Sequence, residues 1–327
     1  MNVLITGGAG FIGSRFAEML VNEEIVNPFK KIVVVDKLTY SGNKSNLDGI
    51  ITHPNFAFEQ IDICDERAVS AVISKYQITH IVNFAAESHV DRSIESSKAF
   101  YETNVMGTLN LLDQARAAGV TRFVQVSTDE VYGSIVEGSW EEDQPLDPSS
   151  PYSASKAAAD FLVLAYFKTH KMNVGITRCS NNYGIRQFPE KVIPRFITNL
   201  LDGRKIPIYG EGLQVREWIH VDDHCHGIYL VLEKGIPGDI YNIGGEVEMP
   251  NVELARRLIS EFGFKEDEVF EFVEDRKGHD FRYSLTGNKI KRELGFKSLT
   301  NFDEEIVKLI EWYRENRSWW EPLLDKR

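Results

Sequence analysis

Short hydrophobic runs recur along the first half of the chain, each followed by a polar stretch with helical spacing. Val3-Leu4-Ile5-Thr6 is the first, with glycines at 7, 8, 10 and 13 leading into a helical pattern that reaches Leu20. Lys31 to Val35 is the second and ends in Asp36; Phe56 to Gln60, His80 to Phe84 and Arg122 to Val126 follow. These runs are apolar at consecutive rather than alternate positions, which predicts strands covered on both faces. Strands alternating with helical segments up to about residue 178 predict a parallel sheet in an α/β architecture.

Later the pattern changes. A helix is expected over 104–118. A second, over 153–169, is apolar nearly all round, although a helix on a sheet needs only one apolar face. Its second face is expected to be buried by self-association with the 104–118 helix, making a homodimer. Beyond residue 180, Asn181-Asn182-Tyr183-Gly184 and Phe188 to Lys191 read as loops before a helix at Pro194 to Asp202. Short strands are expected at Ile206–Gly210, Glu217–Val221 and Gly238–Ile243, and helices at Asn251–Phe262 and Asp303–Glu315. The reading is thus a doubly wound Rossmann domain over 1–180, with returns from the C-terminal half. A smaller, interleaved substrate-binding region follows over 181–327.

Composition narrows the function. A net charge of −12 argues against a nucleic-acid surface. Cys64, Cys179 and Cys225 have no paired spacing and fit reduced thiols of a cytoplasmic protein. Neither a signal peptide nor a membrane-spanning run is expected.

The chemistry gathers at strand ends. Gly7, Gly10 and Gly13 give a variant of the dinucleotide fingerprint, with Phe11 and Ile12 inside it. The first permits a tight turn, the second close approach of a pyrophosphate, and the third packing of helix on strand. Asp36 suits a ribose diol and disfavours a 2′-phosphate, pointing to NAD. Asp62-Ile63 offers an adenine contact, and Ala85-Ala86 lets a cofactor lie against the backbone. Ser127 ends a strand, so Thr128, Asp129 and Glu130 fall where open α/β sheets bind ligands. Tyr152 and Lys156 share one helix face.

With the glycine loop, Asp36, Thr128-Asp129-Glu130 and Tyr152-x-x-x-Lys156 together, the chain resembles the extended short-chain dehydrogenase/reductase family. The likeness is to its branch that dehydrates nucleotide hexoses across C4 to C6, and the Asp-Glu pair after Thr128 is the discriminating element. The resemblance implies NAD contacts from the glycine loop, Asp36, Lys37, Leu38, Thr39, Asp62, Ile63, Ala85, Ala86, Ser88, Thr103, Tyr152, Lys156 and Asn182. It implies nucleotide-sugar contacts from Ser88, Thr128, Asn181, Lys191, Val192, Pro207 and Tyr209. Arg216, Asn251, Asp275 and His279 complete that set, with Arg216 expected to grip the diphosphate. Ile185 and Phe281 depart from the family pattern, which has proline and arginine there; Phe281 is expected to pack behind the nucleotide pocket.

The implied reaction explains the residue types. A C5 proton becomes acidic only once C4 is a ketone. Tyr152 would take the O4 proton, its phenolate favoured by Lys156, while Thr128 holds O4. Glu130 would then remove the C5 proton as a protonated Asp129 donates to the departing 6-hydroxyl. The base is left open between dTDP and UDP, and so is the hexose. A 4-epimerase or decarboxylase on the same scaffold is disfavoured by Asp129-Glu130, as is a non-catalytic NAD-binding regulator. His220, Asp222, Asp223, His224, Cys225 and His226 are read as a helix start capped by Asp222 or Asp223, with no metal expected. Trp312, Tyr313, Trp319 and Trp320 read as packing and tail docking.

Overall fold

The computed structural model describes residues 1–275 and 278–326; Arg276 and Lys277, within the 275–283 segment, lie outside the described residues. Six strands come first: β1 (Asn2–Thr6), β2 (Lys31–Asp36), β3 (Phe56–Gln60), β4 (His80–Asn83), β5 (Arg122–Thr128) and β6 (Val174–Cys179). β7 (Asn181–Tyr183), β8 (Ile206–Tyr209) and β9 (Val215–His220) precede β10 (Ile240–Ile243), β11 (Val247–Pro250) and β12 (Phe270–Val273). The large sheet has the order β10-β6-β5-β4-β1-β2-β3 and every pairing in it is parallel. One edge strand, β10, therefore returns from the second half of the chain. β11-β9-β7 and β12-β8 form two small sheets.

The first eight helices are α1 (Phe11–Val21), α2 (Glu66–Lys75), α3 (Val90–Glu95), α4 (Lys98–Phe100), α5 (Thr108–Ala118), α6 (Pro151–His170), α7 (Val192–Leu201) and α8 (Val221–Lys234), of which α1 and α8 cover one face of the large sheet and α2, α5 and α6 the other. Because side chains alternate across a strand, Val3, Ile5, Ile32 and Val34 enter one core with α1 and α8. Leu4, Val33 and Val35 enter another with α2, α5 and α6. That two-sided burial is why these strands read as continuous apolar runs. A third core joins α7 to α9 (Asn251–Phe262), with α10 (Glu266–Val269) and α11 (Asn288–Leu294) following in the chain. α12 (Phe302–Glu315) and α13 (Arg317–Trp320) close it, burying Tyr313 and Trp320.

Four local expectations change. The 104–118 helix begins as a π-helical turn, Tyr101–Gly107, and α5 starts only at Thr108. This turn is held by Asn104, whose amide donates to Glu87 O at 3.0 Å and to Ser155 Oγ at 2.8 Å. α6 starts at Pro151 rather than Ser153, because Ser150 and Ser153 form a reciprocal capping box around a proline. Asn181–Tyr183 is a strand, not a loop, and pairs in parallel with β9. Val221 opens α8 instead of ending a strand, with the His220 side chain accepting from Asp222 N.

The topology fixes where a ligand sits. β1 lies between β2 and β4, so successive connections leave it on opposite sides, opening a crevice at the strands' carboxyl ends. Beneath that crevice Thr6 donates to Asn83 at 2.5 Å and Asn83 to Gln125 at 2.8 Å, a buried polar line across β1, β4 and β5.

Candidate active site

The crevice is a cavity of about 330 Å³ that runs from the glycine loop to the Tyr152 helix. Gly7 has φ +64, and a Cβ there would stand 2.7 Å from Ala85 Cα. A Cβ on Gly13 would come within 2.6 Å of Gly7 O, so helix and loop close only around glycine. Asp36 stands at the rim, its two oxygens accepting from Ala9 N at 3.0 Å and Leu38 N at 2.7 Å. Burial raises its carboxyl above the ordinary range while those two amides pull it back. Lys37 reaches Asp62 at 2.6 Å, and Ile63, Thr39, Ala85, Ala86, Ser88 and Thr103 complete this end. The π-helical turn is what presents Thr103. Glycines that admit no Cβ, small residues opposite and a carboxylate at the β2 end suit a dinucleotide with a free ribose diol.

Leu38 is a correction. It adopts φ +59, gives its N–H to Asp36, and its side chain packs against the large core instead of lining the cavity. Ser41, Gly42 and Phe84 line the cavity without having been anticipated. A Cβ on Gly42 would come within 2.6 Å of Asp36 Oδ1, so this glycine lets the 38–42 loop fold over the carboxylate.

Thr128 ends β5, and its hydroxyl donates to Asp129 Oδ1 at 3.1 Å while capping the short 129–132 turn. Asp129 is 2% exposed and lines the cavity; its Oδ2 is buried with no hydrogen-bond partner. Burial, then the neighbouring Glu130 and Glu217 carboxylates, push the Asp129 carboxyl well above the carboxylate range. An unpartnered buried oxygen and a raised pKa are what a carboxylic acid kept neutral requires. Glu130 lines both this cavity and the neighbouring one.

Tyr152 and Lys156 reach the same cavity from α6. Burial, with Glu130 next, raises the Tyr152 phenol well above its usual value, and hydrogen bonding with Thr128 opposes this. Lys156 differs from expectation. Its ammonium donates to Val126 O at 2.7 Å and burial lowers its pKa, while the Tyr152 phenol is governed first by burial and then by Glu130.

A second cavity of about 200 Å³ adjoins the first through Ser88, Glu130, Asn181, Lys191 and Val192. Pro207 and Tyr209 face it from β8, whose alternate residues Ile206 and Ile208 are buried. Arg216, Asn251 and His279 lie on its far wall. Asp275 stands behind that wall, 2.6 Å from His279 Nδ1 and accepting from Gln214 at 2.8 Å, and does not line the cavity. Arg216 bonds to the carbonyls of Val215 and Asp280 and lies over the Tyr283 ring at 4.5 Å, which orients its fork. Phe281 is a further correction: the residue is 55% exposed, and its carbonyl accepts from Val215 N at 2.8 Å and from Arg216 at 3.4 Å. Glu190 and Tyr283 line this space without having been anticipated. The Glu190 carboxylate, 5% exposed, lies 3.8 Å from the adjacent Lys191 and 3.4 Å from His89, a segment distant in sequence.

The 220–226 histidines, aspartates and cysteine have separate duties. Among the described residues no group of three or more His, Cys, Asp or Glu is placed to hold a metal ion. Asp222 pairs with Arg15 at 2.7 Å, and Asp223 accepts from Ser298, Leu299 and Thr300. His224 lies 2.8 Å from Asn182 Oδ1, and Asn182 lines the first cavity. Burial lowers the His224 pKa from 6.5 to about 3. The unfolded chain therefore binds a proton that the folded chain refuses, so stability falls as pH drops from 6.5 toward about 3. Replacing His224→Gln should flatten that fall in thermal midpoint; parallel curves for both proteins would remove His224 as its source.

A parallel sheet with a glycine loop at its switch point and a Tyr-x-x-x-Lys helix beside it defines an NAD-dependent oxidoreductase scaffold of the short-chain dehydrogenase/reductase type. A family model described as GDP-mannose 4,6 dehydratase matches residues 4–309, and the chain belongs to that family. It is 52% identical over 325 residues to a dTDP-glucose 4,6-dehydratase of Streptomyces antibioticus, covering 99% of this chain and 95% of the relative. The solved structure of DesIV, a dTDP-glucose 4,6-dehydratase from Streptomyces venezuelae with NAD bound, superimposes with a TM-score of 0.97 at 52% identity. That match covers 99% of this chain and 100% of the other. A UDP-glucose 4-epimerase from Thermotoga maritima shares the fold at a TM-score of 0.88 and 28% identity, over 97% and 100% of the two chains.

Proposed function

We propose that the protein is a lyase that converts dTDP-glucose to dTDP-4-keto-6-deoxyglucose. The observation that carries this is Asp129, a buried carboxyl whose Oδ2 has no hydrogen-bond partner, set beside Glu130 at the end of β5. An epimerase has no use for an acid–base pair at that position. When bound, NAD supplies what no side chain can, accepting hydride from C4 and returning it to C6. Residues 1–180 with the returning β10 and α8 hold the cofactor, and residues 181–327 hold the nucleotide sugar. Glycines 7, 10 and 13, Asp36 and Asn182 bind the cofactor; Lys191, Arg216, Asn251 and His279 bind the nucleotide sugar.

The chain's own groups divide the work. Thr128 holds O4, and Tyr152 takes its proton. Burial keeps that phenol protonated in the unliganded chain, so C4 oxidation should quicken as pH rises. Glu130 takes the C5 proton and Asp129 gives its own to the departing 6-hydroxyl. Incubation with dTDP-glucose and no added NAD should yield the alkali-developed absorbance of a 4-keto sugar, without net NADH. Turnover of UDP-glucose in preference to dTDP-glucose would reassign the base. An unchanged sugar would refute the reading.

Asp36→Ala removes a charged acceptor worth about 1.5–3 kcal/mol, so calorimetry should show NAD binding roughly ten- to a hundredfold weaker. Unchanged affinity would mean that Asp36 faces elsewhere.

Assembly as a homodimer is part of the proposal. Phe161 on α6 is 59% exposed, and Met106 and Tyr101 on the π-helical turn are 55% and 42% exposed. A second copy covering these residues accounts for an α6 that is apolar nearly all round. A net charge of −12 argues against nucleic acid as a partner. Among the described residues no helix is long and apolar enough to cross a membrane. Three unpaired cysteines support a reducing, cytoplasmic setting.

A further inference from the structure

Beneath the catalytic surface lies a charged pair that the chemistry above does not use. Asp160 is one helical turn past Lys156 on α6, and its Oδ2 accepts from Arg178 Nε of β6 at 3.0 Å. The two side chains are 0% and 2% exposed. Desolvation makes such a pair a poor source of stability, and its best-attested use is to fix the register of the elements it joins.

The Arg178 guanidinium lies over the Tyr132 ring, with Cζ 4.6 Å from the centroid. Tyr132 closes the 129–132 turn that carries Asp129 and Glu130. It is pinned on its other sides, its hydroxyl donating to Asn242 Oδ1 at 2.9 Å and its ring stacked on Trp140 at 5.9 Å. Arg178 thus joins the two elements that carry the chemistry: α6 through Asp160, and the acid–base turn through Tyr132.

We propose that Arg178 is a positioning residue that sets the 129–132 turn against α6, so that Asp129 and Glu130 meet the sugar where its C4 ketone forms. The inference rests on the dehydratase reading above. Arg178→Lys keeps the charge but loses the planar face, which lysine cannot supply. Tyr132→Leu removes the ring and leaves the ion pair, whereas Tyr132→Phe keeps the ring.

A displacement of about 1 Å at a reacting centre costs on the order of a hundredfold in rate. Arg178→Lys and Tyr132→Leu should therefore lose roughly ten- to a hundredfold in kcat, with KM for dTDP-glucose held within about twofold. Because C4 oxidation then outruns water loss, the near-ultraviolet absorbance of reduced nicotinamide should persist on the enzyme during turnover. Tyr132→Phe should behave as the wild type. A purely structural role would slow turnover with the cofactor left oxidised. If Arg178→Lys does not fold, Tyr132→Leu, which strands no charge, carries the test, with its thermal midpoint read alongside.

Wild-type rates in both variants, or slow turnover with oxidised cofactor, would overturn the inference. So would a Tyr132→Phe enzyme as slow as Tyr132→Leu, since the hydroxyl rather than the stacked face would then do the positioning. A wild-type protein that leaves dTDP-glucose unchanged would refute the dehydratase reading and this inference together; variants matching an active wild type refute this inference alone.

Discussion

Asp129→Asn should slow loss of water by roughly a hundred- to ten-thousandfold, the range of general acid catalysis, while leaving C4 oxidation intact. The amide fits the same space and still accepts from Thr128, but it has no proton to give the 6-hydroxyl. Because Asp129 is protonated to a pH well above the carboxylate range, its acid form is lost only as pH rises through that raised pKa. Wild-type elimination should therefore fall on the alkaline side, and the variant's residual rate should lack that limb. Rapid-quench analysis should show the 4-keto hexose accumulating with its 6-hydroxyl still in place. Wild-type turnover in the variant would remove Asp129 from the chemistry.

Glu130→Gln should stop elimination as completely, by leaving the C5 proton where it is. The two variants separate in deuterium oxide. With its base present, Asp129→Asn exchanges the C5 hydrogen of bound ketosugar for deuterium; Glu130→Gln does not. Mass spectrometry of the recovered sugar reads the difference. Exchange in the Glu130 variant alone would reverse the two roles, and exchange in neither would make proton removal and water loss one concerted step.

The sequence was most legible where one short segment decides the outcome. Glycines 7, 10 and 13, Asp36 and the strand that delivers Thr128 could be placed because a β–loop–α unit is local. Tyr152 and Lys156 could be placed because helical spacing puts them on one face. What escaped the reading depends on contacts between distant segments. The π-helical turn is stabilised by Asn104 bridging Glu87 and Ser155, which no periodicity announces. β7 exists because β9 lies beside it. The aspartates after His220 were read as caps, but the cap is His220 itself, while Asp223 secures a loop at 298–300. Leu38 and Asp275 entered the contact set with their neighbours in sequence, whereas the fold packs a partly buried Leu38 against the core and sets Asp275 behind His279. Electrostatics were partly legible: the resemblance already implied a protonated Asp129 beside a basic Glu130, and burial of Asp129 raises its carboxyl in that direction.

In the proposed reaction, hydrogen taken from C4 is returned to C6 of the same sugar without leaving the site. Substrate dTDP-glucose bearing deuterium at C4 follows that hydrogen. The deuterium should appear in the C6 methyl of the 4-keto-6-deoxy product, with none in the solvent or in free cofactor. A methyl group without deuterium, with the label in water or in released NADH, would contradict it.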